Sequence, residues 1–223
     1  MAKRSLLSKG LTASLPMMGE MGEAPALVAF DFDGTLTVRD SFTAFLKWRV
    51  SGLRWGFGMI RLAPAAVSYL FHRNRGRIKA AAVREFLRGL PLEQIEAEAR
   101  AFAEAEAPRL FRPDALAIWR RWRAKGARLV IVTASPDILV APFARGLGAH
   151  LLIGSRLALD NDGRVIGPLL GPNCRGPEKV VRLKEQFGDE VRLTAAYGDT
   201  KGDIEMLAIA DEQGYRVFRG KPA

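Results

Sequence analysis

Two pairs of aspartates are spaced in a way that could do chemistry: Asp31 with Asp33, and Asp199 with Asp203. Each pair follows a short apolar run, residues 26–30 and residues 193–197. A third run, residues 128–132, ends at Thr133. Open parallel sheets bind ligands at the carboxyl ends of their strands, so these polar residues could act together in one crevice. Four carboxylates gathered there would repel one another unless a cation were present. Magnesium suits such a set, because hard divalent ions take oxygen ligands and keep positions free for a substrate phosphate. A carboxylate held by that ion can attack phosphorus, and a second acid can move the proton.

Taken singly, each of these residues has a plainer reading. An Asp-x-Asp-Gly stretch is usually a turn, and Thr133 could be a capping hydroxyl. Lys179 would by default sit on a solvated helix surface, with Arg175 a rival for any role near the acids. Asp199 and Asp203 could simply cap a helix. Their joint occurrence at successive strand ends favours a site.

The elements that must position them alternate. Apolar runs at 26–31, 128–133, 149–153 and 193–197 read as buried parallel strands, with a last one at 215–218. Helices are expected from Pro136 onward, over 178–187 and over 203–210. Residues 155–167 read as a hairpin turning at Asn161-Asp162-Gly163. This order predicts an α/β fold with a doubly wound, Rossmann-like parallel sheet. The helical stretch 41–122, which includes an Ala- and Glu-rich helix over 92–107, is too long for a crossover and reads as an inserted cap. Residues 25–40 and 123–223 then form the core, and 1–24 an N-terminal tail.

Asp31-Phe-Asp-Gly-Thr-Leu-Thr37 resembles the first motif of the haloacid dehalogenase superfamily in its phosphatase form. Thr133 is similar to the second motif, Lys179 to the third, and Tyr197-Gly-Asp-Thr-Lys-Gly-Asp203 to the fourth. The resemblance runs from residue 26 onward and implies a magnesium-dependent phosphatase working through an aspartyl-phosphate. On it, Asp31 is the nucleophile and Asp33 the general acid and base. The metal would sit on the Asp31 carboxylate, the Asp33 main-chain carbonyl and Asp199. Asp203 would hold a metal-bound water or orient Lys179. Thr133, Ala134 and Lys179 would bind the phosphoryl group.

The inserted helices resemble the cap of the phosphoserine-phosphatase-like branch, where the cap largely chooses the substrate. Asp40 stands where those enzymes carry a Glu that meets the substrate amine. The carboxylate-gripping arginine has no clear counterpart; Arg84 is only approximately placed. Gly202 replaces the usual Asn of the last motif. These departures weaken a phosphoserine assignment.

Charge points elsewhere. Of 34 Lys and Arg against 24 acids, ten bases and one acid, Glu85, fall in residues 41–90, giving that segment +9 of the chain's +10. It also holds eight of the nineteen aromatics. Lys47, Arg54 and Arg61 recur every seventh residue, with Trp48, Trp55 and Leu62 one step on. On a helix that sets a cationic stripe beside an apolar one, the composition of an interfacial helix on anionic lipid. Packing of the apolar stripe inside the cap is an equal alternative.

On the membrane reading, the substrate is a phosphomonoester at a bilayer surface, and Arg73, Arg75, Arg77 and Lys79 could draw in its phosphate. The phosphatidylglycerophosphatase C type and the CicA-like bacterial proteins look similar in this respect. A soluble metabolite phosphatase is the alternative, and a binding module on an inactive scaffold a third reading. No nucleic-acid recognition module is recognisable, so no nucleic-acid partner is expected. The lone Cys174 excludes an internal disulfide and fits a reducing, cytoplasmic setting. No run reaches the ~20 apolar residues a spanning helix needs. No glycine-rich segment makes a nucleotide loop, and His72 and His150 are isolated.

Overall fold

The computed structural model describes residues 25–72 and 75–222. Its sheet has six strands: β1 (Leu27–Phe30), β2 (Arg128–Pro136), β3 (Leu151–Leu159), β4 (Val165–Leu170), β5 (Leu193–Gly198) and β6 (Ala210–Tyr215). They lie in the order β4-β3-β2-β1-β5-β6. All neighbours run parallel except the β3–β4 hairpin. The chain winds outward from β1 to β2 and β3, then crosses back to β5 and β6. Strand order therefore reverses at β1, which makes the carboxyl end of β1 the crevice of the sheet.

Residues 28–30 and 129–132 are fully buried, which explains why these strands read as unbroken apolar runs. The described residues form eight α-helices: α1 (Ser41–Arg49), α2 (Gly52–His72), α3 (Arg75–Phe86), α4 (Leu92–Leu110), α5 (Pro113–Ala124), α6 (Asp137–Leu147), α7 (Pro177–Phe187) and α8 (Ile204–Ala208). Trp119 of α5 packs its ring 5.0 Å from Phe30, whose other neighbour is Tyr197 at 4.6 Å. Phe102 of α4 meets Phe143 of α6 edge-on at 5.9 Å. Helices α4 and α5 thus return the chain to the sheet layers. Helix α2 packs chiefly on α3, and α3 leans on β4. These two helices stand over the crevice.

The hairpin turns where Asn161-Asp162-Gly163 predicted it, with Gly163 at φ 72°. The last strand is displaced from its expected place: β6 is Ala210–Tyr215 and not 215–218. It forms a sheet edge, so Asp211, Glu212 and Gln213 face solvent and no apolar alternation marks it. Phe218 instead folds back onto Tyr197, ring to ring at 5.4 Å. The predicted apolar stripe of α1 and α2 is largely internal: Leu62 is buried, and Trp55 stacks on Phe86 at 5.3 Å. Among the described residues no helix is long and apolar enough to cross a membrane. Residues 1–24 and Arg73 lie outside the described residues.

Candidate active site

The first acidic pair leaves β1 on a tight turn, Phe32–Leu36. Asp31 keeps sheet pairing through its N–H, which donates to the Tyr197 carbonyl at 2.8 Å. Gly34 takes φ 87°, and a Cβ there would come within 2.3 Å of Asp199 Oδ2. Backbone conformation and space both require glycine at that point. The turn can therefore press its backbone against the carboxylate delivered by β5.

Lys179 enters from α7 and is almost wholly buried, at 1% exposure. Its Nζ donates to Asp31 Oδ1 at 2.6 Å, to Asp203 Oδ1 at 2.7 Å and to the Val132 carbonyl at 2.6 Å. All three ammonium protons have acceptors. Burial alone would lower the lysine pKa, but Asp31 and Asp203 hold it above its ordinary value. Arg175, the rival candidate, lines the same cavity but donates to Thr200 Oγ1 at 3.3 Å.

Burial pushes the Asp31 carboxyl up to about 7 despite the pull of Lys179. Asp199 is raised too, by burial and then by the charge of Asp203. Thr35 Oγ1 lies within hydrogen-bond distance of both, 3.3 Å from Asp31 Oδ2 and 3.4 Å from Asp199 Oδ1. Asp203 behaves oppositely. Burial would raise it, yet Lys179 and the bonds from Thr200 hold it below the usual carboxylate range. Its Oδ2 accepts from the Thr200 N–H at 2.8 Å, the Thr200 hydroxyl at 2.9 Å and the Asp199 N–H at 3.2 Å. Arg216, held at φ 55°, donates from Nε to the Asp199 carbonyl at 2.7 Å and locks this turn from outside.

Asp33 points away from that group. Its Oδ1 accepts from the Ser41 N–H at 2.7 Å, and its Oδ2 from the Ser135 hydroxyl at 2.5 Å. Burial, then the nearby charge of Asp40, raises its pKa. Thr133 is buried below the floor of the cavity, its hydroxyl accepting from the Ser135 N–H at 3.0 Å. Ala134 does line the cavity, and its carbonyl accepts from Lys79 Nζ at 2.8 Å. Lys79 belongs to α3, so it ties the overhanging helices to the strand end. Burial lowers its pKa, and Asp33 and Asp40 act against this.

Carboxylate oxygens of Asp31, Asp199 and Asp203 fall within 4.8 Å of one another. Three oxygen donors, two of them on carboxyls destabilised by burial, fit a hard divalent cation. The Asp33 side chain is not part of that group.

The cavity holding these residues is about 650 Å³ and has two different ends. The floor is made by Asp31, Asp33, Asp199 and Lys179. One part of the wall is apolar, supplied by Phe42, Leu46, Trp55, Met59, Ile78 and Phe86 of α1, α2 and α3, while Thr43, Lys79, Asn173 and Arg175 add polar groups. Asp40 lines it as well, whereas Arg84 lies outside, packed against Gly167.

Residues 28–208 match the profile of the haloacid dehalogenase-like hydrolases. The chain belongs to that family. It is a hydrolase of that family, with the motif acids gathered at one crevice. Protein CicA of Caulobacter vibrioides is 71% identical over 223 residues, covering all of both chains. A Bordetella pertussis protein of unknown function has a similar structure, with a TM-score of 0.68 and 21% identity over 83% of this chain and 87% of that one. A phosphoserine phosphatase solved in its apo form gives 0.57 and 20%, with 86% of each chain covered. The fold is thus that of the phosphoserine-phosphatase-like branch of the haloacid dehalogenase-like hydrolases.

Two contributors escaped the sequence reading: Ser135 and the Ser41 N–H both bind Asp33. Lys79, read there only as one of several basic residues that could draw in a phosphate, reaches the cavity floor. Ser135 had one available signal, its place two residues past Thr133 at a strand end. Nothing in the sequence ties Ser41 to Asp33, and only the path of α3 separates Lys79 from the other basic residues around it.

Proposed function

We propose that this enzyme hydrolyses phosphomonoesters in two displacements at Asp31, with a lipid phosphate as substrate. Asp31 Oδ attacks phosphorus, the bond from phosphorus to the ester oxygen breaks, and Asp33 gives its proton to the departing alkoxide. Asp33, now a carboxylate, takes a proton from water as the water oxygen attacks the aspartyl-phosphate. The bond from Asp31 to phosphorus breaks, releasing inorganic phosphate and restoring both acids. Lys179 holds Asp31 in one orientation and offers positive charge to the phosphoryl oxygens, a preorganised contribution of the kind that often dominates catalysis. Ser41 and Ser135 fix Asp33 through both oxygens. Asp203 positions Lys179, and Ala134, beside Thr133, borders the phosphoryl position.

Asp31, Asp199 and Asp203 would hold a magnesium ion, with the Asp33 carbonyl completing the protein ligands; when bound it neutralises phosphoryl charge.

The observation that carries the substrate reading is the two-ended cavity. Its floor, where the clustered carboxylates would hold a cation beside Lys179, suits a phosphate group. Phe42, Leu46, Trp55, Met59, Ile78 and Phe86 offer an apolar leaving group a continuous surface beside the polar Asp40, Thr43, Lys79, Asn173 and Arg175. An apolar leaving group gains roughly 25 cal/mol for each Å² buried there. A lipid phosphomonoester such as phosphatidylglycerophosphate, met at a membrane surface, satisfies both ends. A small metabolite such as phosphoserine would find Asp40 for its amine and Lys79 or Arg175 for its carboxylate, whereas Arg84 lies outside the cavity.

The test is phosphate release with magnesium from a panel of lipid phosphates and soluble phosphomonoesters, beside Asp31→Asn. Preference for the lipid esters and loss of turnover in the variant are expected. Equal or better turnover of phosphoserine would remove the lipid reading, and an active Asp31→Asn would place the nucleophile elsewhere.

A further inference from the structure

We infer that the outward face of α2 docks on an anionic lipid bilayer, a step that rests on the lipid-phosphate reading and specifies how the enzyme meets its substrate. Helix α2 is apolar on two opposite sides. Leu62 is buried, and Trp55 and Met59 line the cavity. On the other side Leu53, Phe57, Ile60 and Val67 are exposed by 81, 67, 71 and 53%. With 3.6 residues per turn these four fall within an arc of about 80°, centred opposite Leu62. Large apolar side chains aligned in one exposed stripe mark an interaction surface.

Charge selects the occupant. Arg54 and Arg61 border the stripe, and both have Glu85 as ion-pair partner, at 2.7 and 3.9 Å. One carboxylate for two guanidiniums leaves the border positive. The surrounding segment 41–90 carries +9 in all. An anionic lipid surface meets both demands, taking the apolar side chains into its interface and the cations at its headgroups. The contact is interfacial, since no described helix is long and apolar enough to span. The helix that touches lipid on one side is also the wall of the substrate cavity on the other. An acyl chain therefore meets apolar side chains on both faces of α2.

Full-length protein is sedimented with vesicles of phosphatidylcholine alone and of phosphatidylcholine mixed with phosphatidylglycerol. Strong binding to the anionic vesicles is expected, weakened by salt. The double variant F57S/I60S should lower it by roughly tenfold or more, as two large apolar side chains are lost from the interface. Arg61→Glu should weaken binding to anionic vesicles and leave the neutral ones unchanged. Neither Phe57, Ile60 nor Arg61 lines the catalytic cavity, so turnover of soluble p-nitrophenyl phosphate should stay constant throughout. Equal binding to neutral and anionic vesicles, or full binding by F57S/I60S, overturns the docking. So does sedimentation velocity showing a dimer that F57S/I60S dissociates, because the stripe then belongs to a second copy. p-Nitrophenyl phosphate reports on the chemistry alone, so a docking failure with turnover intact spares the catalytic reading.

Discussion

The hydroxyl of Ser135 donates to Asp33 Oδ2 at 2.5 Å, joining the end of β2 to the turn after β1. With the Ser41 N–H on Oδ1, it engages both oxygens of the carboxyl proposed to pass the proton. Hydrogen bonds to charged groups contribute about 1.5–3 kcal/mol. If that stabilisation is expressed in the transition state, Ser135→Ala should lower kcat by roughly 10- to 100-fold with little change in KM. Ser135→Thr should restore part of it. Steady-state kinetics on one soluble ester separates the two constants, and a change confined to KM would assign Ser135 to substrate binding instead.

Gly34 couples the two acidic pairs through contact rather than charge. A methyl group there would meet Asp199 Oδ2 at 2.3 Å, and φ 87° adds backbone strain for any other residue. Gly34→Ala must push Asp199 away or bend the turn, and either displaces a proposed metal ligand. Activity should fall by at least about 100-fold, on the scale of a 1 Å misplacement at a catalytic site. The magnesium concentration for half-maximal activity should rise. Unchanged metal dependence would mean that Asp199 is not held by this contact.

The candidate crevice was legible because its residues follow buried parallel strands, whose apolar runs locate the ends of β1 and β5 to within one residue and that of β2 to within three. Lys179 could be placed from the sequence only by resemblance; its 1% exposure contradicts the ordinary expectation for a lysine on a helix. The cap was harder. Trp55 and Leu62 and the exposed Phe57 and Ile60 share one apolar helix, and composition cannot say which side faces inward. Strand β6 was missed for a related reason: an edge strand with Asp211, Glu212 and Gln213 in solvent has no buried face to give it a pattern.

Cys174 offers a probe that leaves the proposed catalytic acids alone. It is fully buried, its N–H donates to Ser155 Oγ at 3.0 Å, and burial pushes its thiol up to about 11. Only the thiolate reacts with alkylating reagents, so the folded protein should resist iodoacetamide at pH 8. Denaturant should expose this single thiol and bring complete labelling. Mass spectrometry counts the adduct. Stoichiometric labelling of native, active enzyme would show that the α7 end of the core opens readily.

Asp114 ties the last residues of the described chain to the start of α5. Its Oδ2 accepts from the Arg219 and Gly220 N–H groups, each at 2.7 Å, and its Oδ1 from Ala115 at 2.9 Å. Burial would raise its pKa, but these backbone donors outweigh it and hold the carboxyl below its ordinary 3.8. A depressed carboxylate stabilises the folded state above the unfolded pKa and loses that contribution as pH falls through the folded value. The anchor should therefore hold unchanged from neutral pH down to about 4 and release below that. Amide exchange at 219 and 220, corrected for intrinsic rates, should accelerate only in the acid range. Asp114→Asn should weaken protection at neutral pH by a few fold, since the group is largely solvated and its charge screened. Protection that persists well below pH 3 in the native protein would show that other contacts, such as Arg112 Nη1 on the Gly220 carbonyl at 3.0 Å, carry the attachment.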